Sequence, residues 1–223
     1  MKTLCTLLLS FVFVTVTNAQ FTPGQTLLTG QVSFNENNNN PYNLIPNGFQ
    51  KSSNLYTSFA ISKFKNPLLL SGFGVGFSHQ YQHYNDGVTP FDQIYRLNTL
   101  QVFYTRSKLK SLAKNFYLSI NGNAGVNYSN FTYNSNNGQS ETKGNSYGGE
   151  ISGGLGIMYR IDKHFLASMH LTNLLDLSYT GGNSTYFNPT NSFKNTNHHF
   201  SFQTGFTSFS LSNIEVGFSY LIK

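Results

Sequence analysis

The chain is short of several things at once. Its one cysteine, Cys5, lies in an N-terminal apolar run, and tryptophan is absent. From Gln20 onward there is no cysteine, which excludes a disulfide framework, a cysteine metal site and a thiol nucleophile there. Charged residues make up 10% of the chain, against about 25% in soluble domains. Long apolar runs are missing as well: beyond the N-terminus no segment reaches the 18 or so apolar residues of a helical membrane span. Low charge without helical spans makes sense if strands put much of the outer surface against lipid.

What is present repeats with a period of two. From Phe116 to Tyr128 the even positions are apolar or small (Phe116, Leu118, Ile120, Ala124, Val126) and the odd ones mostly carry Ser, Asn or Gly. Tyr147 to Ile161 repeats the alternation, as do Phe165 to Tyr179 and Gly72 to Tyr81. A soluble sandwich with one wet face also alternates. Two details favour a membrane barrel instead. Aromatics, 16% of the chain, recur near segment ends, as at Phe116/Tyr128, Tyr147/Tyr159 and Phe165/Tyr179, where interfacial girdles belong. The other face is rich in Gly, Ser and Asn, which suits a narrow lumen where small residues make room for large neighbours.

The N-terminus has the layout of a secretory signal peptide. Lys2 supplies the positive start, Leu4 to Val16 the apolar run, and Thr17-Asn18-Ala19 a small-residue cleavage site. At about 13 residues the run is short for a transmembrane helix, which needs about 20. Residues 1–19 are therefore expected to be removed, leaving 20–223 as one barrel domain.

Connections alternate in length. Lys65-Asn66-Pro67, Lys108 to Lys114 and Asp162-Lys163 are short. Asn35 to Ser52, Gln82 to Gln93, Asn134 to Ser146 and Gly181 to Asn197 are long and polar. Short turns on one side and long loops outside are the outer-membrane pattern. Strands are expected near 26–34, 53–64, 68–81, 94–107, 115–133, 147–161, 164–180 and within 198–223. The last stretch is too long for one crossing of about 9–11 residues. A turn at Ser210-Leu211-Ser212-Asn213 would make nine strands, at odds with the even counts of such barrels. One long last strand is preferred, with Ile214 to Ile222 in the membrane. Phe209 and Leu211 have the opposite parity, so a bulge is expected on each side of them. The fold expected is an all-β, antiparallel up-and-down transmembrane β-barrel of eight strands, with ten as the alternative.

The opening Thr26-Leu-Leu-Thr-Gly-Gln-Val-Ser-Phe34, the Gly72-Phe-Gly-Val-Gly-Phe77 segment and the closing Asn213-Ile-Glu-Val-Gly-Phe-Ser-Tyr220 resemble small bacterial outer-membrane β-barrel proteins of the OmpA-transmembrane/OmpX type. The patterns are loose and point to architecture rather than activity. The chain departs from them by ending Tyr220-Leu-Ile-Lys223 rather than on an aromatic. The resemblance implies residence in the bacterial outer membrane, contact with its lipids, and insertion by the barrel-assembly machinery.

The net charge is +6. On this topology nine basic residues, Lys63, Lys65, Arg106, Lys108, Lys110, Lys114, Arg160, Lys163 and Lys223, fall at the periplasmic end. Glu36, Asp86, Asp92, Glu141 and Glu150 fall at or near the other end. The result is a polarised collar rather than a nucleic-acid stripe, and its cations could meet anionic headgroups, although solvated turns are the plainer account.

Candidate chemistry is thin. His170, Thr172 and Asp176 share one strand face with Ser168, and His170-Leu-Thr-Asn173 is similar to the His-x-Ser-Asn element of lipid A deacylases. Thr replaces the serine, and no downstream acid matches, so a lumenal hydrogen-bond network is the stronger account. His79 and His83 are about 13 Å apart along a strand, with no carboxylate in evident register, and His198-His199 are adjacent. Neither is expected to bind metal. Glu150 and Arg160 are expected in an internal ion-pair network. No catalytic, cofactor or metal residue is assigned and no enzyme is expected. The expected role is structural or surface-interactive, through long polar loops open to an extracellular ligand or protein. The alternatives are a narrow channel or small hydrophobic-ligand carrier, then a lipid-modifying enzyme.

Overall fold

A computed structural model describes residues 21–39, 48–85, 92–135, 140–188, 191–204 and 214–222. The expected signal peptide lies outside them. Nine antiparallel strands run in chain order: β1 (Thr26–Asn39), β2 (Phe49–Asn66), β3 (Leu69–Asn85), β4 (Asp92–Ala113), β5 (Phe116–Ser135), β6 (Ser140–Arg160), β7 (Phe165–Asn188), β8 (Asn191–Thr204) and β9 (Ile214–Ile222). Neighbours in sequence pair from β1 to β7; β9 then pairs with both β7 and β1. This closes a ring of eight, the smaller of the two strand counts expected. Among the described residues no helix is long and apolar enough to cross a membrane, so crossing falls to the strands.

β8 is the ninth strand, and it lies outside the ring. It pairs with the upper part of β7, from Leu175↔Thr204 to Asn188↔Asn191. β9 pairs with the lower part, from Phe165↔Tyr220 to Leu171↔Ile214. The expected single last strand is thus two collinear pieces. The stretch where bulges and a possible turn were expected, including Phe209 and Leu211, lies outside the described residues. The facing strands carry an irregularity at the same level: Gly153 pairs with Leu175 but Leu155 with Leu171, so three residues of β7 stand against one of β6. The surplus of two preserves the side-chain alternation.

The strands are much longer than expected. Segments taken for long loops, such as 181–197, are mostly paired ribbon: the β7–β8 ladder runs without a shift to Asn188↔Asn191, and β5–β6 to Ser135↔Ser140. The physical reason is that an antiparallel ladder satisfies its own backbone polar groups. Above the membrane both faces are wet, so alternation fades while pairing persists.

Inside the ring, one end is apolar. Leu27, Phe64, Leu70, Leu109, Leu166 and Leu221 come from six strands and, with Phe21, Tyr117 and Met158, form a buried cluster. Phe21 reaches it from the segment before β1, stacked on Phe64 at 4.3 Å and tilted against Tyr117 at 5.1 Å. The Arg160 guanidinium lies over its other side, 5.4 Å from the ring centre. The turn is fixed by Gly24, at φ +90°, and by Gly24 N–H donating to the Phe64 carbonyl at 2.8 Å.

Candidate functional site

Three regions of the ring bear on function: its outer wall, its lumen and its upper ribbons. On the wall, Ile61, Phe73, Val75, Val102, Ile120, Ile151, Met169 and Phe218 all point outward and are exposed. Aromatics bound this apolar band. At one level Phe116–Tyr159 and Phe165–Tyr220 pack in pairs with ring centres 4.6 and 5.1 Å apart. At the other, Tyr128 is paired with Tyr147 in register. The twelve steps from Phe116 to Tyr128, at about 3.3 Å each and a tilt of about 40°, span roughly 30 Å, close to the height of a hydrocarbon core. A closed strand ring that is apolar outside and polar inside is built for a bilayer.

The chain is a membrane-spanning β-barrel.

The short connections between β2 and β3, β4 and β5, and β6 and β7 mark the periplasmic end, and the long ribbons the extracellular one. No family model matches the chain, and no curated protein matches its sequence. Among solved structures it is similar to a major outer membrane protein from Thermus thermophilus, at 11% identity, covering 89% of this chain and 99% of that one, with a TM-score of 0.47. It is also similar to the outer membrane protein OprG from Pseudomonas aeruginosa, at 15% identity, 91% and 98% coverage and a TM-score of 0.44. A third is Ail, the attachment invasion locus protein of Yersinia pestis, at 13% identity, 90% and 96% coverage and a TM-score of 0.33.

Above the apolar floor the lumen holds a cavity of about 390 Å³ whose polar lining includes Gln31, Tyr56, Gln101, Asn121, Glu150, His170 and Glu215. Small residues make this packing possible. A Cβ on Gly74 would collide with the Phe103 ring, and one on Gly156 would collide with His170 Nδ1. Those glycines let Phe103 and His170 fold across a narrow interior.

The described residues considered for hydrolysis do not assemble. Asn121 Nδ2 lies 2.8 Å from His170 Nδ1 in a hydrogen bond, so an amide rather than an acid orients the imidazole. Ser168 Oγ is buried without a hydrogen-bond partner. Asp176 lies beyond the β7 irregularity, opposite Ser152, and its ionic neighbour is Glu150. The Thr172 side chain lies outside what is described.

The ion-pair network across strands expected to include Glu150 and Arg160 is not found among the described residues. The two are ten residues apart on one strand, roughly 33 Å at strand rise. Arg160 Nε instead donates to the Asp162 carbonyl at 3.0 Å and one Nη to the Lys163 carbonyl at 3.3 Å, bracing the periplasmic turn. Glu150 accepts from Gln101 Nε2 at 3.5 Å and faces Glu215 and Asp176. Sequence parity gives the face of a lumenal residue but not the height of its neighbours on other strands.

His83 also differs from expectation, because it does have a carboxylate. Its Nε2–H donates to Asp92 Oδ1 at 2.5 Å, since the β3–β4 register sets His83 opposite Ile94 and Asp92 on the diagonal. His79 Nδ1 donates to Asn98 Oδ1 at 2.8 Å. Among the described residues no three His, Cys, Asp or Glu are grouped to hold a metal ion. His198 packs on Tyr179 and shares a 2.8 Å hydrogen bond with its hydroxyl.

The upper ribbons are the feature that sequence reasoning missed. Every side chain of β8 but Ser201 is exposed, including Phe193, Phe200 and Phe202. Among the described residues β8 pairs with β7 alone. Residues 33–39 of β1 pair with β2 but not with β9, whose ladder stops at Val32↔Val216. Among the described residues, two strand edges are therefore left open on the extracellular side. Aromatics at two-residue spacing, Phe200 and Phe202, were the available signal.

Proposed function

We propose that the protein is a surface-interaction module, with the barrel as its anchor and the extracellular ribbons as its working part. The observation that carries this reading is the outer edge of β8, open among the described residues. A strand edge is a row of unsatisfied N–H and C=O groups, ready to accept an added strand. Here the side chains flanking it are Phe, Asn, Thr and His, which suit an extended polar or aromatic peptide segment on a protein partner. The apolar floor supports an anchor over a conduit, since nine buried side chains fill the periplasmic end and an eight-stranded interior is narrow. Export by a signal peptide cut after Ala19 and insertion by the barrel-assembly machinery belong to the same reading, as does a non-catalytic role.

The cavity's carboxylates favour a small polar ligand as a second reading, in place of an apolar one. The test has two arms. Folded protein in nanodiscs is used to select binders from a displayed peptide library. Selected peptides are expected to be extended and to lose binding to whichever of T196P and N197P takes an N–H from the open edge, since successive N–H groups of a strand point to opposite sides. Binders indifferent to both substitutions refute the edge. In planar bilayers no steady conductance is expected, and a sustained open channel would overturn the anchor reading.

A further inference from the structure

The cations of the periplasmic end form a pattern on the outer wall. The registers Lys63↔Ser71 and Ser71↔Arg106 set these three residues side by side on β2, β3 and β4. Lys63 and Arg106 are exposed, and Ser71 is buried between them. Lys65 and Lys108 lie next along β2 and β4, away from the membrane. Within the described residues β2, β3 and β5 contain no acid, and the acid of β4, Asp92, is at its far end. Salt bridges among the described residues are His83–Asp92 and Lys143–Glu141, so these cations face outward without a carboxylate.

Directly above that row is an apolar track. Ile61, Phe73 and Tyr104 form the next outward row, then Phe59, Val75 and Val102, with Phe77 and Leu100 above. Successive rows are about 7 Å apart, being two residues along each strand. At the foot of the track is a groove of about 350 Å³ lined by Ile61, Lys63, Lys65, Ser71, Phe73 and Tyr104, among others. The apolar track therefore ends on a row of charge, and a hydroxyl lies between two cations.

We infer that this wall is a binding site for an anionic phospholipid of the inner leaflet. Its headgroup phosphate sits between Lys63 and Arg106 over Ser71, and an acyl chain lies along Phe73, Val75 and Val102. Arg106 can present two parallel donors to phosphate oxygens while Lys63 acts as a point charge. A zwitterionic lipid would fill the track equally but would bring its own cation to the row, so selectivity comes from charge. This goes beyond the extracellular role proposed above and stands or falls independently of it.

The test is native mass spectrometry of the folded protein titrated with phosphatidylglycerol or phosphatidylcholine of matched chains. Phosphatidylglycerol should be retained selectively. The double variant K63Q/R106Q should lose roughly thirtyfold of that selectivity, two near-surface cations' worth. K63R/R106K should keep it, and F73A should weaken both lipids alike. Heat-modifiable gel mobility establishes that each variant is folded. Equal retention of the two lipids by the wild type, or unchanged selectivity in folded K63Q/R106Q, overturns the site.

Discussion

Replacing Phe21 by alanine tests the floor of the lumen. Phe21 is 1% exposed, stacked on Phe64 and capped by Arg160. The surrounding wall is a hydrogen-bonded ring and cannot collapse into the space as a helical core can. Truncation of a buried Phe costs about 3–5 kcal/mol, and limited collapse puts the cost toward the upper part of that range. At roughly 2–4 °C per kcal/mol for a chain of this size, even the lower figure shifts the unfolding midpoint down by roughly 6–12 °C. The assay is the temperature at which the folded, fast-migrating band converts to the unfolded one. The variant should also admit water at the periplasmic end, read as new conductance in planar bilayers. F21L, which nearly preserves volume, should lose less than about 1.5 kcal/mol. An unchanged midpoint in F21A would refute the claim that this residue closes the barrel.

Other perturbations follow from the same geometry. G156A forces a Cβ into His170 Nδ1 and to 2.8 Å from the Met169 carbonyl; the expected result is a lowered unfolding midpoint, partly restored by combining it with H170A, which a gel series would show or deny. A124K puts a charge on the lipid face between the two aromatic levels and should destabilise by about 2–4 kcal/mol, whereas N123A, on the lumenal face, should cost far less in the same urea titration. Asp162 Oδ1 accepts from the N–H groups of His164 and Phe165 at 2.6 and 2.8 Å, which hold its carboxyl below the ordinary aspartate range. A depressed folded value stabilises above the unfolded one, so the gap between wild type and D162A should be constant from about pH 5 upward and close as pH falls below about 4. A gap that widened on acidification would contradict this.

Much of the fold was legible in the residues themselves. Period-two alternation from Phe116 to Tyr128 assigned inside and outside correctly, because a strand's side chains must alternate and lipid tolerates only one kind on its side. Low charge and the absence of helical spans selected the class, and the order of short and long connections oriented the barrel. Parity also put His170, Glu150 and Asp176 in the lumen. It was silent on height, which depends on stagger between strands: it could not say which groups meet Glu150 and Arg160 across the lumen, and it left His83 without the Asp92 that its register supplies. Polar segments such as 181–197 were read as loops because wet ribbons carry no alternation. The break of the last strand into β8 and β9 also needed the tertiary structure, since both pieces are placed by pairing with one partner, β7. Composition and periodicity act residue by residue, so sequence alone determined the barrel and its faces. Register is a property of strand pairs, so only the folded ring decided which lumenal groups meet, where the floor lies and which strand edge stays open.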